Sequence, residues 1–120
     1  MLFTDTHEWI KINENIATIG ISSFAQKELG EIVFIELPKV GDQIAAQSEM
    51  VVLESTKAAA DIYCPLSGEI VEVNHSLKEN LNLLNQDPEN KGWMIKIKVH
   101  NKDELNSLMS LKDYLQLIQS

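Results

Sequence analysis

The amino-acid sequence predicts a mainly β chain of two antiparallel sheets packed face to face. A short helix is expected near residues 23–29, and one or two more near residues 102–118. Three observations carry this reading. Stretches such as Ala17-Thr18-Ile19-Gly20-Ile21 and Trp93-Met94-Ile95-Lys96-Ile97-Lys98-Val99 alternate in the period-two pattern of half-buried strands. Turn residues punctuate these stretches at Glu14-Asn15, Pro38 to Asp42, and Pro65 to Gly68. Finally, Gly30-Glu31-Ile32-Val33 recurs as Gly68-Glu69-Ile70-Val71. A domain of two similar halves shows such an echo, and so does chance.

The two halves meet at Glu49 to Cys64, EMVVLESTKAAADIYC. Val51, Leu53 and Ser55 alternate on one side of a first strand; Ala59, Asp61 and Tyr63 alternate along a second. Lys57 sits at or next to the tip of the turn between them. No Asn-Gly or Asp-Gly pair marks the turn, so its type stays open. Ser55, Thr56, Ala58 and Ala59 are small and leave room for another protein to close over the amine. Spacing alone favours a solvated turn residue. The alternative is an acylated lysine carrying a cofactor on a long tether.

The remaining elements follow in order. Trp9 and Ile10 anchor the start of a strand, with Thr6, His7 and Glu8 polar and exposed before it. Ile12 to Ile21 reads as strand, turn, strand. Ser23 with Gln26 forms a capping-box pattern for a helix of about two turns, closed by Gly30 and too short to stand alone. Phe24 and Leu29 are its expected contacts. From Glu31 to Leu37 both sides carry apolar residues: Ile32, Phe34 and Glu36 on one, Val33, Ile35 and Leu37 on the other. Both faces are therefore expected to be covered. Asn85 to Lys91 reads as an exposed loop closed by Gly92. In the strand that follows, Trp93, Ile95, Ile97 and Val99 face in. In the tail, Asn101 with Glu104 makes an N-terminal box, and Leu105, Leu108, Leu111, Leu115 and Ile118 form one core stripe. Ser110 with Asp113 offers a cap for a second short helix.

With 120 residues, the chain is one domain by size. Its 44% hydrophobic content, with 5 glycines and 3 prolines, argues for a folded globular protein. Acids outnumber lysines 18 to 10, arginine is absent, and the net charge is −8. That balance opposes nucleic-acid and anionic-membrane binding. No run reaches membrane-spanning length and no export signal is seen, so a cytoplasmic location is expected. The lone Cys64 excludes an internal disulfide and reads as a small buried hydrophobe.

Catalytic equipment is sparse. His7, His75 and His100 lie apart, lack metal-ligand spacing and read as surface residues. No phosphate loop or nucleophile elbow appears. Asp61 should project near the base of a Lys57 arm. A carrier or adaptor explains this set better than an enzyme.

Motifs along essentially the whole length then point to a family. They are Thr6-His7-Glu8-Trp9, Ile19-Gly20-Ile21, Ala25-Gln26, Leu29-Gly30, Glu36-Leu37-Pro38 and Gly41-Asp42. They continue with Glu54-Ser55-Thr56-Lys57-Ala58, Pro65-Leu66-Ser67-Gly68-Glu69, Val73-Asn74, Leu84-Asn85, Asp87-Pro88 and Gly92-Trp93. In this order and spacing the chain resembles the H proteins of the glycine cleavage system. The resemblance implies a lipoyl/biotinyl-type flattened barrel, a barrel-sandwich hybrid. It would occupy residues 1–120 as a single lipoyl-carrier domain with an N-terminal strand extension and a C-terminal helical tail.

The resemblance also implies a non-catalytic carrier with lipoate joined to Lys57 as an amide. The implied partners are the P protein (a pyridoxal-phosphate glycine decarboxylase), the T protein (an aminomethyltransferase) and the L protein (dihydrolipoyl dehydrogenase). A lipoate ligase or a lipoyl/octanoyl transferase would attach the arm, and the carrier is expected to be a monomer. Thr6, Glu8 and Asp61 match positions lining the cleft where the loaded arm docks in the family. Two carboxylates suit the cationic amine at its end. The same lysine would also serve a relay donating lipoyl or octanoyl groups to 2-oxoacid dehydrogenases, and an unmodified interaction protein is a weaker alternative. Three positions depart from the family pattern: Thr56 for a common valine, Leu81 for a proline and Glu89 for a tyrosine. The last two put the segment from Leu81 to Lys91 in question.

Overall fold

The computed structural model describes residues 1–119. Nine strands form two antiparallel sheets. In chain order they are β1 (Leu2–Phe3), β2 (Glu8–Asn13), β3 (Ile16–Ile21), β4 (Ile32–Glu36), β5 (Gln43–Ile44), β6 (Glu49–Ser55), β7 (Ala59–Tyr63), β8 (Gly68–Val73) and β9 (Ile95–Val99). One sheet runs β1-β2-β3-β9-β8-β5, the other β4-β6-β7. Four α-helices complete the fold: α1 (Ser23–Leu29), α2 (Ser76–Glu79), α3 (Asn82–Gln86) and α4 (Leu111–Ile118). A 3₁₀ turn spans Lys102–Ser107. The expected flattened sandwich is what forms.

The inner faces bury the alternating residues anticipated from sequence. Ile10, Ala17, Ile19, Ile70, Ile95 and Ile97 come from the larger sheet, and Ile32, Leu53 and Ile62 from the smaller. The turn at Glu14-Asn15 forms, with Glu14 in the left-handed region at φ 57°. Cys64 is buried as expected. The two copies of the Gly-Glu-Ile-Val echo open strands in different sheets, each placing an isoleucine in the core. Their glycines serve different ends. Gly30 adopts φ 84° at the end of α1, whereas a Cβ on Gly68 would collide with the carbonyl of Lys98.

Several expectations need correction. The cap of α1 is Ser22, whose hydroxyl accepts the Ala25 N–H at 3.1 Å, so Ser23 is the first helical residue. Alternation fails in β4 because the register slips between Ile32 and Phe34. Val33 and Phe34 are thus exposed, at 51% and 44%, and only Ile32 and Ile35 are buried. Asn85 belongs to α3 rather than a loop, and Pro88 within the segment is buried.

The tail differs most. Leu111 and Leu115 are exposed, and α4 inserts Tyr114 instead. Its ring stacks on Phe3 at 4.4 Å in a second cluster with Trp9, which Trp93 joins from outside β9. Ser110 does cap α4 through the Asp113 N–H at 3.2 Å. Asn101, however, caps a 3₁₀ turn, and Glu104 reaches across to the Ser67 N–H and hydroxyl at 2.9 and 2.7 Å.

Candidate functional site

Lys57 lies in the turn joining β6 to β7 and is exposed. Ser55 builds this turn. Its Oγ accepts the N–H of Lys57 and of Ala58, both at 3.1 Å, and its hydroxyl donates to the Ala58 carbonyl. The Ser55 N–H closes on the same carbonyl at 2.8 Å. A serine side chain thus does the work that Asn-Gly does in other hairpins. Thr56, Ala58 and Ala59 around the lysine are also exposed. The tip is tied to the body through the Thr56 N–H, which donates to the Glu31 carbonyl at 3.0 Å. The lysine stem leans over Gly30, where a Cβ would stand 3.4 Å from Lys57 Cε.

Thr6, in the turn between β1 and β2, meets Glu8 at the start of β2. Glu8 is not exposed as its polarity led us to expect; only 2% of its surface is accessible. It opens β2 opposite Ile21, a register that turns its side chain inward. The hydroxyls of Thr4 and Thr6 both donate to Glu8 Oε1 at 2.6 Å. Oε2 is left for a further donor. Burial pushes the Glu8 carboxyl above its ordinary pKa, against the lowering pull of the two threonine hydroxyls. Burial likewise pushes the Cys64 thiol up to about 11, with the Glu8 charge a lesser cause.

Asp61 is exposed on β7, opposite Val52. Among the described residues, no hydrogen bond or ion pair joins Asp61 to Lys57, Thr6 or Glu8. The structure therefore brings together two of the four sequence-predicted site residues. No group of histidine, cysteine or carboxylate side chains among them is arranged to hold a metal ion.

The glycine cleavage H-protein family model matches residues 1–120. The chain belongs to the glycine cleavage H-protein family. A glycine cleavage system H protein of Carboxydothermus hydrogenoformans is 53% identical over 117 residues, covering 98% of this chain and 90% of that one. One from Halothermothrix orenii is 46% identical over 119 residues, with 99% and 93% coverage. The crystal structure of a glycine cleavage system H protein from Mycobacterium marinum superposes with a TM-score of 0.89 at 30% identity, covering 99% and 96% of the two chains.

For this H-protein family member, the structure also shows what single motifs could not. His7 is half-buried, not a surface residue. It adopts φ 74°, and its Nδ1 sits 2.8 Å from the Tyr114 hydroxyl, which also bonds Ser22 Oγ at 2.7 Å. Burial pushes the Tyr114 pKa up. The segment from Leu81 to Lys91 is tied in despite its two departures. Leu81 packs against the core, and Glu89 accepts the Ser23 N–H at the head of α1 at 2.8 Å. Asn85 bonds both backbone groups of Ile32. The Leu84-Asn85 motif was the available signal for that last contact, but nothing local named its partner.

Proposed function

We propose that the chain is the lipoyl carrier of a glycine cleavage system, with lipoate attached to Lys57. The observation that carries this reading is the exposed amine of Lys57 on a turn flanked by Thr56, Ala58 and Ala59. Small exposed neighbours let an enzyme close over the lysine. The family to which the chain belongs supports the assignment. When bound, the lipoyl group supplies a dithiolane that takes up the aminomethyl unit of glycine and later yields it to a folate-dependent transferase.

The chain's own residues present, tether and shield. Ser55 holds the turn, so the lysine leaves the body from a set point. The tether spans roughly ten single bonds, each advancing about 1.2–1.3 Å, and keeps the cargo at high effective concentration for a docked partner. In this reading a lipoate ligase or lipoyl/octanoyl transferase attaches the arm, and P, T and L proteins take turns at it in the cytoplasm. The carrier itself catalyses nothing.

We also assign Thr6, Glu8 and Asp61 to holding the cationic end of the loaded arm. Support comes from Glu8, whose Oε1 is filled by threonine hydroxyls while Oε2 can accept from an ammonium group. Loaded Glu8→Ala and Asp61→Ala chains should lose their cargo faster than wild type. Unchanged decay would remove both from this role.

The main test is intact mass after incubation with ligase, ATP and lipoate. A lipoyl mass gain that vanishes in Lys57→Arg is the expected result. Glycine-dependent CO2 release with the decarboxylase must follow. A chain that gains lipoate yet supports only transfer to dehydrogenase domains would point to the relay instead.

A further inference from the structure

We infer that Asn85 is the positioning residue for Lys57, acting through the one peptide plane between Glu31 and Ile32. The inference rests on the reading of Lys57 as the attachment point. β4 is an edge strand, paired with β6 alone. An open edge leaves backbone groups without partners. Here the Asn85 side chain supplies them: Oδ1 accepts the Ile32 N–H at 2.7 Å, and Nδ2 donates to the Ile32 carbonyl at 3.1 Å. One primary amide offers the donor and acceptor that a neighbouring strand would.

The consequence lies on the other side of the same plane. In a planar trans peptide, the N–H of Ile32 and the C=O of Glu31 point in opposite directions. Holding the N–H toward Asn85 therefore aims the carbonyl away from it. That carbonyl accepts the Thr56 N–H at 3.0 Å, one residue before Lys57. A single rigid unit thus transmits the position of α3 to the lysine turn.

A second route runs through Gln26. Its Nε2 donates to the Gly30 carbonyl at 3.2 Å and to Asn85 Oδ1 at 3.4 Å. Gly30 is the surface over which the lysine stem lies. Asn85 is itself well founded. Its N–H donates to the Leu81 carbonyl at 3.0 Å, and its neighbour Leu84 is fully buried. The segment carrying the departures at Leu81 and Glu89 is therefore the footing of the arm.

The test uses the full chain with Asn85→Ala and Asn85→Asp, the second keeping an acceptor for the Ile32 N–H. Amide hydrogen exchange is read at Ile32 and Thr56, with Ile19 and Ile97 as core references. Steady-state lipoylation by a lipoate ligase is read alongside. In Asn85→Ala, Ile32 and Thr56 should exchange roughly tenfold faster relative to the references. KM for the chain should rise roughly three- to tenfold because fewer molecules present the lysine correctly, with little change in kcat. Asn85→Asp should restore most of both effects, and it alone decides the matter if the alanine chain does not fold.

Wild-type exchange at Thr56 in Asn85→Ala would overturn the inference. So would equal acceleration at all four amides, which marks a merely structural residue, or a Thr56 amide left unprotected in Asn85→Asp. If the ligase leaves wild-type Lys57 bare, the carrier reading fails, while the exchange data still decide whether Asn85 grips the turn.

Discussion

Around Trp9 the larger sheet is covered on both faces. Ile10 points into the core between the sheets, while Trp9 and Phe3 meet Tyr114 from α4. Around Lys57 the smaller sheet is covered on one face only. Leu53 and Ile62 point in; Glu54, Asp61 and Tyr63 point out to solvent. The first region is held by packing and by long-range bonds such as Trp9 Nε1 to the Pro88 carbonyl at 2.8 Å. The second is held by backbone bonds, by Ser55 within the turn and by the Asn85 side chain on the Ile32 peptide behind it. Packing thus bears most of the stability and the turn the presentation, while the segment from Leu81 to Lys91 touches both regions, through Pro88 on one side and Asn85 on the other.

Three substitutions probe that separation. The largest effect on stability is expected from Trp9→Ala. Trp9 is 2% exposed, and emptying such a site costs roughly 3–5 kcal/mol. Urea denaturation should show the loss, while the surviving folded fraction should still accept lipoate on Lys57. A loss of modification beyond the loss of folded protein would break the comparison.

Next comes Glu8→Gln, which keeps the acceptor for Thr4 and Thr6 and removes the charge. The folded pKa of Glu8 is raised above its ordinary value of 4.5. Between those two values the folded state binds more protons than the unfolded one. The contribution of this group is therefore fully present below 4.5 and lost as pH rises through the folded pKa. Unfolding free energies across that window should fall with rising pH more steeply in wild type than in Glu8→Gln. Identical slopes would show that Glu8 is not desolvated.

The smallest effect on stability belongs to Lys57→Arg. An exposed turn residue should move unfolding free energy by no more than about 0.5 kcal/mol, while modification is abolished. A large destabilisation would mean that the tip supports the fold after all.

Much of this was legible in the chain itself. Period-two alternation marked β3, β6, β7 and β9, the Trp9-Ile10 anchor marked β2, and the small residues about Lys57 marked the turn. Legibility failed where a partner lay far along the chain. Glu8 read as exposed because it is acidic and sits beside Thr6 and His7; its burial follows from pairing with β3. Of the apolar stripe of the tail, Leu105, Leu108 and Ile118 do pack, but Leu111 and Leu115 stay outside because Phe3 takes Tyr114 as its stacking partner. A register slip in β4, invisible to any alternation rule, left Val33 and Phe34 outside.

By itself, the sequence determined the strand pattern, the place of Lys57 on its hairpin and the family. Each of these is written in short stretches whose residues are neighbours along the chain. Only the tertiary structure decided that Asn85 would hold Ile32 and that Tyr114 would lie against His7. Those pairs stand 53 and 107 positions apart. Local preference cannot say which distant group will satisfy a side chain; that choice is made when burial of the shared core brings the two together.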